Sequence, residues 1–201
     1  SVAYQRRSLP IAWVWDRGAQ GRTTTAKQIK LLDYVQRNLI PADCQVSLVG
    51  DCEFGNPLLI EYVRFWGWDY TLRVSGQFLF MPKGTGAWQR LDAYPLERGD
   101  KVWFGNVVLT QTSAYPTNLV LYWDPKEKEP WFLATNQPGP HAALRLYRRR
   151  MWIEEMFGDM KEHGFDLESS HLRHFLRLSR LTLVVCLLYL WLIAIAEQVV
   201  T

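Results

Sequence analysis

The sequence has few cysteines, no CxxC pair and no glycine-rich loop of the kind that cradles phosphate groups. Its three cysteines, Cys44, Cys52 and Cys186, are an odd number, which disfavours a disulfide scaffold and a thiolate zinc site. The N-terminus lacks the order of charged, apolar and small residues that marks a signal peptide. These absences favour a reducing compartment and exclude a nucleotide-binding loop as the origin of any chemistry.

Charge of either sign is also modest in this chain. Lys and Arg number 23 and Asp and Glu number 20, and the net charge of +3 neither requires nor excludes a polyanionic partner. The 201 residues are 48% hydrophobic and 21% charged, so a buried core is expected and wholesale disorder is excluded. The length allows one ordinary domain, or one domain with a moderate insertion.

The order of the predicted elements is that of an α/β fold. Two strands joined by a polar turn at Arg6–Ser8 are expected within residues 1–15. Helical spacing predicts helices over 23–39 and 56–66, and short apolar runs predict strands at 45–51 and 68–76. Such alternation is typical of parallel strands joined by crossover helices, with the hairpin antiparallel on one side.

Residues 77–130 change this pattern, because they contain strand-like segments separated by turn residues and no helical period. We interpret them as an all-β insertion. The predicted division is therefore a core of residues 1–76 and 131–201 with the insertion at 77–130. The last sixty or so residues, from about Ala142, are predicted to be helical.

Four polar side chains form a stripe on the predicted helix that begins near Ala142. At 100° per residue, Tyr147, Arg150, Glu154 and Lys161 fall within an arc of roughly 60°. The simplest interpretation is a solvated helix face with pairing between residues four apart, such as Arg150 with Glu154. The alternative is a functional face that presents a carboxylate between cationic groups.

A second candidate is Asp51, which follows the predicted strand at 45–51. Side chains at the carboxyl end of a parallel strand point into the crevice where α/β sheets bind ligands. Asp51 could instead only cap the following turn. A carboxylate at this place and a second from a helix can together bind Mg²⁺ or Mn²⁺, since both ions prefer hard oxygen ligands.

These residues carry a resemblance to a known family. The spacing Tyr147-x2-Arg150-x3-Glu154-x6-Lys161 resembles the Y-(2)-R-(3)-E-(6)-K signature of bacterial DDE transposases of the insertion sequence 4 type. The segment VSLVGDCEFGN is similar to that family's second catalytic Asp segment, and the tail from Gly164 is similar to its C-terminal helices. The resemblance covers essentially the whole chain.

The resemblance implies an RNase H-like core that binds two Mg²⁺ ions, with Mn²⁺ as a substitute, through three acids. Asp51 would be the second acid and Glu154 the third, whereas Tyr147, Arg150 and Lys161 would contact DNA phosphates. The implied reaction is cleavage of transposon-end DNA and transfer of the freed strand to target DNA. The implied setting is a bacterial cytoplasm, at the nucleoid, with a possible homodimer in a synaptic complex.

The family's first catalytic Asp lies on a strand that would precede the hairpin at residues 1–15. Asp16 follows the hairpin and Asp33 lies within a predicted helix, so neither residue occupies that place. We therefore expect the chain to correspond to the C-terminal majority of a transposase and to be inactive as given. The alternative function is a non-catalytic remnant that only binds DNA or a full-length partner.

The apolar segment Leu181–Ala196 offers a third hypothesis, a small membrane-anchored protein. Its sixteen residues contain one polar side chain, Thr182, and are fewer than the about 20 that cross a bilayer. We expect a helix that packs against the sheet or the preceding helix, and no membrane partner.

Overall fold

The structure, a computed structural model, describes residues 1–15, 23–160, 165, 172 and 174–200. The chain divides into two compact units. We call Ser1–Gly21 with Arg149–Thr201 the terminal unit, and Arg22–Arg148 the sheet unit. This division differs from the one predicted from sequence, which separates 77–130 from the rest. Whether residues 77–130 are an insertion relative to other proteins stays a prediction.

The described elements follow one another along the chain with short 3-10 turns at Leu91–Ala93 and Arg148–Arg150. In order they are β1 (Val2–Tyr4), β2 (Arg7–Leu9), α1 (Thr25–Asn38), β3 (Ser47–Gly50), α2 (Pro57–Phe65), β4 (Asp69–Arg73), β5 (Leu79–Met81), β6 (Gln89–Arg90), β7 (Lys101–Leu109), β8 (Tyr115–Tyr122), β9 (Trp131–Thr135), α3 (Pro140–Tyr147), α4 (Met151–Gly158) and α5 (Phe175–Val200).

The two predicted helices of the sheet unit are confirmed, and each begins at a capping side chain. The Thr24 side chain accepts a hydrogen bond from the Lys27 amide at 3.4 Å and begins α1. Asn56 Oδ1 accepts from the Leu58 amide at 2.9 Å, and Pro57 occupies the first position of α2. Gly67 follows α2 with φ of 74°, a left-handed conformation that favours glycine.

The sheet unit is built on one mixed sheet of seven strands in the order β3-β4-β9-β8-β7-β5-β6. β3 pairs with β4 in parallel through the α2 crossover, as predicted, and the other neighbours pair antiparallel. The strands from 77–130 extend this same sheet. A mixed sheet with flanking helices is compatible with an RNase H-like core.

Helices cover both faces of the sheet, because successive side chains of a strand point to opposite sides. Leu119 and Leu121 of β8 belong to the large cluster that contains Leu59 of α2. Val120, which lies between them, belongs to a second cluster with Tyr147 of α3. All five residues of β9 are buried, as expected for a strand in the middle of a covered sheet.

The described elements of the terminal unit are the β1–β2 hairpin, α4 and α5. The hairpin is its own two-stranded sheet, and it turns at Gln5 and Arg6, whose φ values are 42° and 63°. The second strand of the hairpin is shorter than the sequence predicted, because β2 ends at Leu9 and residues 10–15 form no regular structure. An apolar cluster joins α4 to α5 through Met156 and Tyr189, with Leu9 packed against it.

One side of α5 packs against α4, as predicted for Leu181–Ala196, and Thr182 accepts a hydrogen bond from Trp15 Nε1 at 3.2 Å. The other side is exposed, including Leu187 at 57% and Trp191 at 60%. Phe175–Ala196 is long and apolar enough to cross a membrane by length and composition alone. That test does not distinguish a membrane span from a core helix, so the absence of a membrane partner stays a prediction.

The three thiols are expected to differ sharply in reactivity. Cys44 and Cys52 are exposed, whereas Cys186 is buried in the terminal unit, where burial raises the pKa of its thiol. Burial keeps a reagent from the sulfur, and a raised pKa leaves less thiolate to react, so Cys186 should react much more slowly than the exposed thiols until the protein unfolds. A chromogenic disulfide reagent should titrate two fast-reacting thiols in the folded protein and all three thiols after denaturation. Three fast thiols in the folded protein would contradict the packing of α5.

Candidate functional site

Asp51 lies directly after β3, as predicted, and its side chain is exposed. Its Oδ1 accepts a hydrogen bond from the Glu53 amide at 3.0 Å, and its carbonyl accepts one from the Phe54 amide at 3.0 Å. The carboxylate therefore does cap the following turn. Because a carboxylate offers about four lone-pair sites, one such bond leaves room for a cation.

The turn that carries Asp51 lies against β4 at very short range. A Cβ atom on Gly55 would lie 2.1 Å from the Arg73 carbonyl oxygen, so only glycine fits there. A Cβ atom on Gly50 would lie 2.7 Å from Phe54 Cβ. The sequence VGDCEFGN thus needs a glycine on each side of the acid, and we call Asp51–Gly55 the Asp51 loop.

Glu154 lies in the first turn of α4 and its side chain is 49% exposed. Arg150 Nη2 lies 2.6 Å from Glu154 Oε1, and the Arg150 side chain is 19% exposed. This ion pair between residues four apart is the one that the sequence predicted. A guanidinium and a carboxylate held together can meet a phosphate and a metal ion, respectively.

The predicted helix from about Ala142 is interrupted. α3 ends at Tyr147, a 3-10 turn covers Arg148–Arg150, and α4 begins at Met151. The boundary between the two units falls within that turn. Asp51 belongs to the sheet unit and Glu154 to the terminal unit, so their predicted closeness, within roughly 8 Å for a shared metal site, stays a prediction.

Tyr147 is buried in the sheet unit, with a relative exposure of 1%. Its ring lies against Trp131, with ring centroids 5.1 Å apart and an edge-on orientation. The family resemblance implies a phosphate contact for this residue, and that role stays a prediction. Lys161, the fourth member of the stripe, lies outside the described residues.

A depression in the terminal unit surrounds Glu154, and no sequence motif predicts it. It is lined by Arg6, Arg7, Trp152, Glu154, Glu155, Gly158 and Asp159. Arg7 Nη1 lies 3.5 Å from Asp159 Oδ2 and connects the hairpin to α4. The two ends of the chain meet here, and no local sequence pattern could have predicted that meeting.

The exposed basic residues before α4 include Arg145, Arg148 and Arg149. Arg148 Nη2 lies 3.6 Å from Asp124 Oδ2, a long ion pair between an exposed guanidinium and a partly buried carboxylate. A run of guanidinium groups on a surface is suited to phosphate contacts.

The acids fit a divalent cation by type. Asp51 and Glu154 supply hard carboxylate oxygens of the kind that Mg²⁺ and Mn²⁺ bind, and both side chains are exposed. Within the described ranges no three His, Cys, Asp or Glu side chains are grouped so that they could hold a metal ion. Asp33, which lies within α1, pairs with Arg37 at 2.9 Å.

Comparison with known proteins gives one match and one negative result. The family model described as "Transposase DDE domain" matches residues 2–191. The matched range contains both candidate acids, the Asp51 loop and the Arg150–Glu154 pair. No curated protein matches the chain.

Proposed function

The chain belongs to the transposase DDE domain family, and we propose that it corresponds to the part of a transposase catalytic domain that carries the second and third acids, in an enzyme that cleaves and transfers DNA strands at insertion-sequence ends. Membership implies a transposase function, DNA as the partner and a nucleotidyl-transferase type of reaction. The finer proposal is the bacterial insertion sequence 4 type. The observation that carries the proposed function is the family match over residues 2–191. The matched range contains the acid after β3 and the spacing of Tyr147, Arg150, Glu154 and Lys161.

Transposases of this family generally use divalent metals, and we propose Mg²⁺, with Mn²⁺ as a substitute. Asp51 and Glu154 would hold the metal. A bound divalent ion would polarise the scissile phosphate and lower the pKa of an attacking water or hydroxyl. Arg150, paired with Glu154 at 2.6 Å, would fix the direction of that carboxylate and present its other donors to a phosphate oxygen.

The remaining members of the stripe, Tyr147 and Lys161, are proposed as further contacts to DNA phosphates. The exposed Arg145, Arg148 and Arg149 would add sequence-independent affinity. We propose that two copies act together on paired transposon ends and target DNA in the bacterial cytoplasm, at the nucleoid. The family is generally cytoplasmic.

A second candidate function is binding without catalysis. The sequence supplies two of the three acids that the resemblance implies, and two carboxylates hold two divalent ions poorly because each ion needs several anionic ligands. A chain with this set would bind DNA, or a complete partner copy, and leave the phosphodiester bond intact.

The experiment that separates the two functions compares nicking of a labelled transposon-end duplex. The 201-residue chain is expected to bind DNA in a salt-dependent way without nicking it in Mg²⁺ or Mn²⁺. A chain extended by an upstream strand with an aspartate should cleave. In that extended chain Glu154→Gln should lower the cleavage rate more than about 100-fold and leave DNA binding unchanged. Removing only the hydrogen-bond partner of a metal ligand costs about 10–100-fold, and this substitution changes the ligand itself.

Glu155→Gln is the matched control, because Glu155 is the neighbouring exposed acid on α4 but lies off the predicted stripe. It should leave cleavage nearly unchanged. Strong cleavage by the 201-residue chain would contradict the assignment of the first catalytic Asp to a strand upstream of the hairpin. An equal loss of cleavage in Glu154→Gln and Glu155→Gln would contradict the assignment of Glu154 to the site.

A further inference from the structure

Gln28 is a polar residue on the inward side of α1. Its side chain is 5% exposed, and it shares the inner stripe of the helix with Leu32 and Val35, four and seven residues later. An apolar side chain would be the ordinary choice at such a place. A buried amide is retained only where its hydrogen bonds are needed.

The amide of Gln28 reaches the loop that follows β3. Its Nε2 donates to the Glu53 carbonyl oxygen at 3.2 Å and to Thr23 Oγ1 at 2.9 Å. The Glu53 amide in turn donates to Asp51 Oδ1 at 3.0 Å. Glu53 is therefore fixed at its carbonyl by α1 and at its amide by the candidate catalytic carboxylate.

The opposite side of the Asp51 loop rests on β4. Gly55 lies directly against the Arg73 carbonyl, and Cys52 Sγ donates to the Val74 carbonyl at 3.8 Å. Gln28 supplies the corresponding contact from α1. The loop is held between a strand and a helix, and Asp51 lies at its exposed end.

The orientation of the Gln28 amide shows which of its two polar atoms matters. Its Oε1 is buried and meets no hydrogen-bond donor among the described residues. Reversing the amide would place Oε1 against the Glu53 carbonyl, and two acceptors cannot bond to each other. Within the described part of the chain, Nε2 makes both hydrogen bonds of the side chain and Oε1 makes none, which is unfavourable for a buried acceptor.

We propose that Gln28 is a positioning residue that fixes the Asp51 carboxylate for metal binding by holding the Glu53 carbonyl. This inference rests on the proposed function of Asp51 as a metal ligand. Gln28 does not contact the metal, and it acts through the Asp51 loop. A ligand held in one orientation binds an ion more tightly than a mobile one, since less freedom is lost on binding.

The test measures Mn²⁺ binding by paramagnetic broadening of the Asp51, Cys52 and Glu53 amide signals in the full chain. In Gln28→Met, which keeps the volume but removes the donor, the Mn²⁺ dissociation constant at this loop should rise at least about fivefold, the factor expected for one hydrogen bond. Hydrogen exchange of the Glu53 amide should accelerate by a similar factor.

Gln36→Met is the matched control, because Gln36 lies on the same helix and its Oε1 accepts from Trp68 Nε1 at 2.6 Å. It loses one amide hydrogen bond far along α1 from the Asp51 loop and should change neither measurement. If Gln28→Met does not fold, Gln28→Asn keeps the amide but shortens its reach, and it should give the same two changes.

The outcomes distinguish the positioning role of Gln28 from the proposed role of Asp51 as a metal ligand. Broadening in the wild type that Asp51→Asn abolishes, together with weaker binding in Gln28→Met, supports both. No Mn²⁺ broadening at Asp51 in the wild type would overturn the metal site itself. Normal broadening with an unchanged dissociation constant in Gln28→Met would overturn the positioning role and leave the metal site standing.

Discussion

Gly55→Ala is expected to lower the free energy of unfolding of the sheet unit by about 3 kcal/mol, the upper part of the usual range for overpacking. The added Cβ would lie 2.1 Å from the Arg73 carbonyl oxygen and 2.9 Å from Val74 Cα. The first atom belongs to the backbone of β4 and the second to the residue that follows it. Because β4 is paired with β3 on one side and β9 on the other, these backbone atoms cannot move away as a flexible side chain would. The Asp51 loop has to move instead. Chemical denaturation of both proteins measures the change.

The control for this substitution is Gly105→Ala. Gly105 is also in the sheet unit and is exposed, and a Cβ there would meet only Trp103 Nε1 at 3.5 Å, an ordinary contact. Its effect should stay within about 0.5 kcal/mol, as for most surface changes. If the two variants were equally stable, the close contact between the Asp51 loop and β4 would be wrong.

Much of the fold could be predicted where local signals decide the structure. Asn56 followed by Pro57 marked the start of α2, and Gly67 its end, because a cap, a fixed φ and a left-handed glycine act over a few residues. The strand before Asp51 was predicted from its short apolar run, which is also a local feature. These features depend on near neighbours in the sequence.

The extent of the sheet could not be predicted in this way. Residues 77–130 contain strand-like segments without a helical period, which suggested an all-β insertion, and β8 pairs with β9 and so continues the sheet of the predicted core. Pairing between strands is decided by long-range contacts and not by the composition of either strand. The composition therefore predicted the type of element correctly and left its partner open.

The candidate site divides in the same manner. The Arg150–Glu154 pair was predicted because residues four apart on a helix are neighbours. The approach of Arg7 to Asp159 was not, since these residues come from distant parts of the chain. Tyr147 shared the polar stripe on a helical projection, but α3 ends at that residue and its ring packs on β9, which only the folded sheet reveals.

Tyr147→Ala is expected to lower the free energy of unfolding by about 3–5 kcal/mol, as for other large aromatic residues in cores. The side chain is 1% exposed, its ring lies against Trp131, and it belongs to the cluster beneath α3 with Val120 and Leu144. Removing the ring leaves a cavity that these neighbours cannot fill. Tyr34→Ala is the control, because Tyr34 is 56% exposed on α1 and its loss should be nearly neutral. Equal effects in both variants would contradict the burial of Tyr147.

The same position can separate packing from DNA contact, which alanine alone cannot do. A loss of DNA binding in Tyr147→Ala would follow from the disrupted core whether or not the hydroxyl touches a phosphate. Tyr147→Phe keeps the ring against Trp131 and removes only the hydroxyl, so it should unfold within about 1 kcal/mol of the wild type. If the predicted phosphate contact exists, this variant should bind a transposon-end duplex severalfold more weakly at fixed salt, since one hydrogen bond to a charged oxygen is lost. Unchanged affinity would assign Tyr147 to the core alone and leave the contact with DNA to the arginines that follow it.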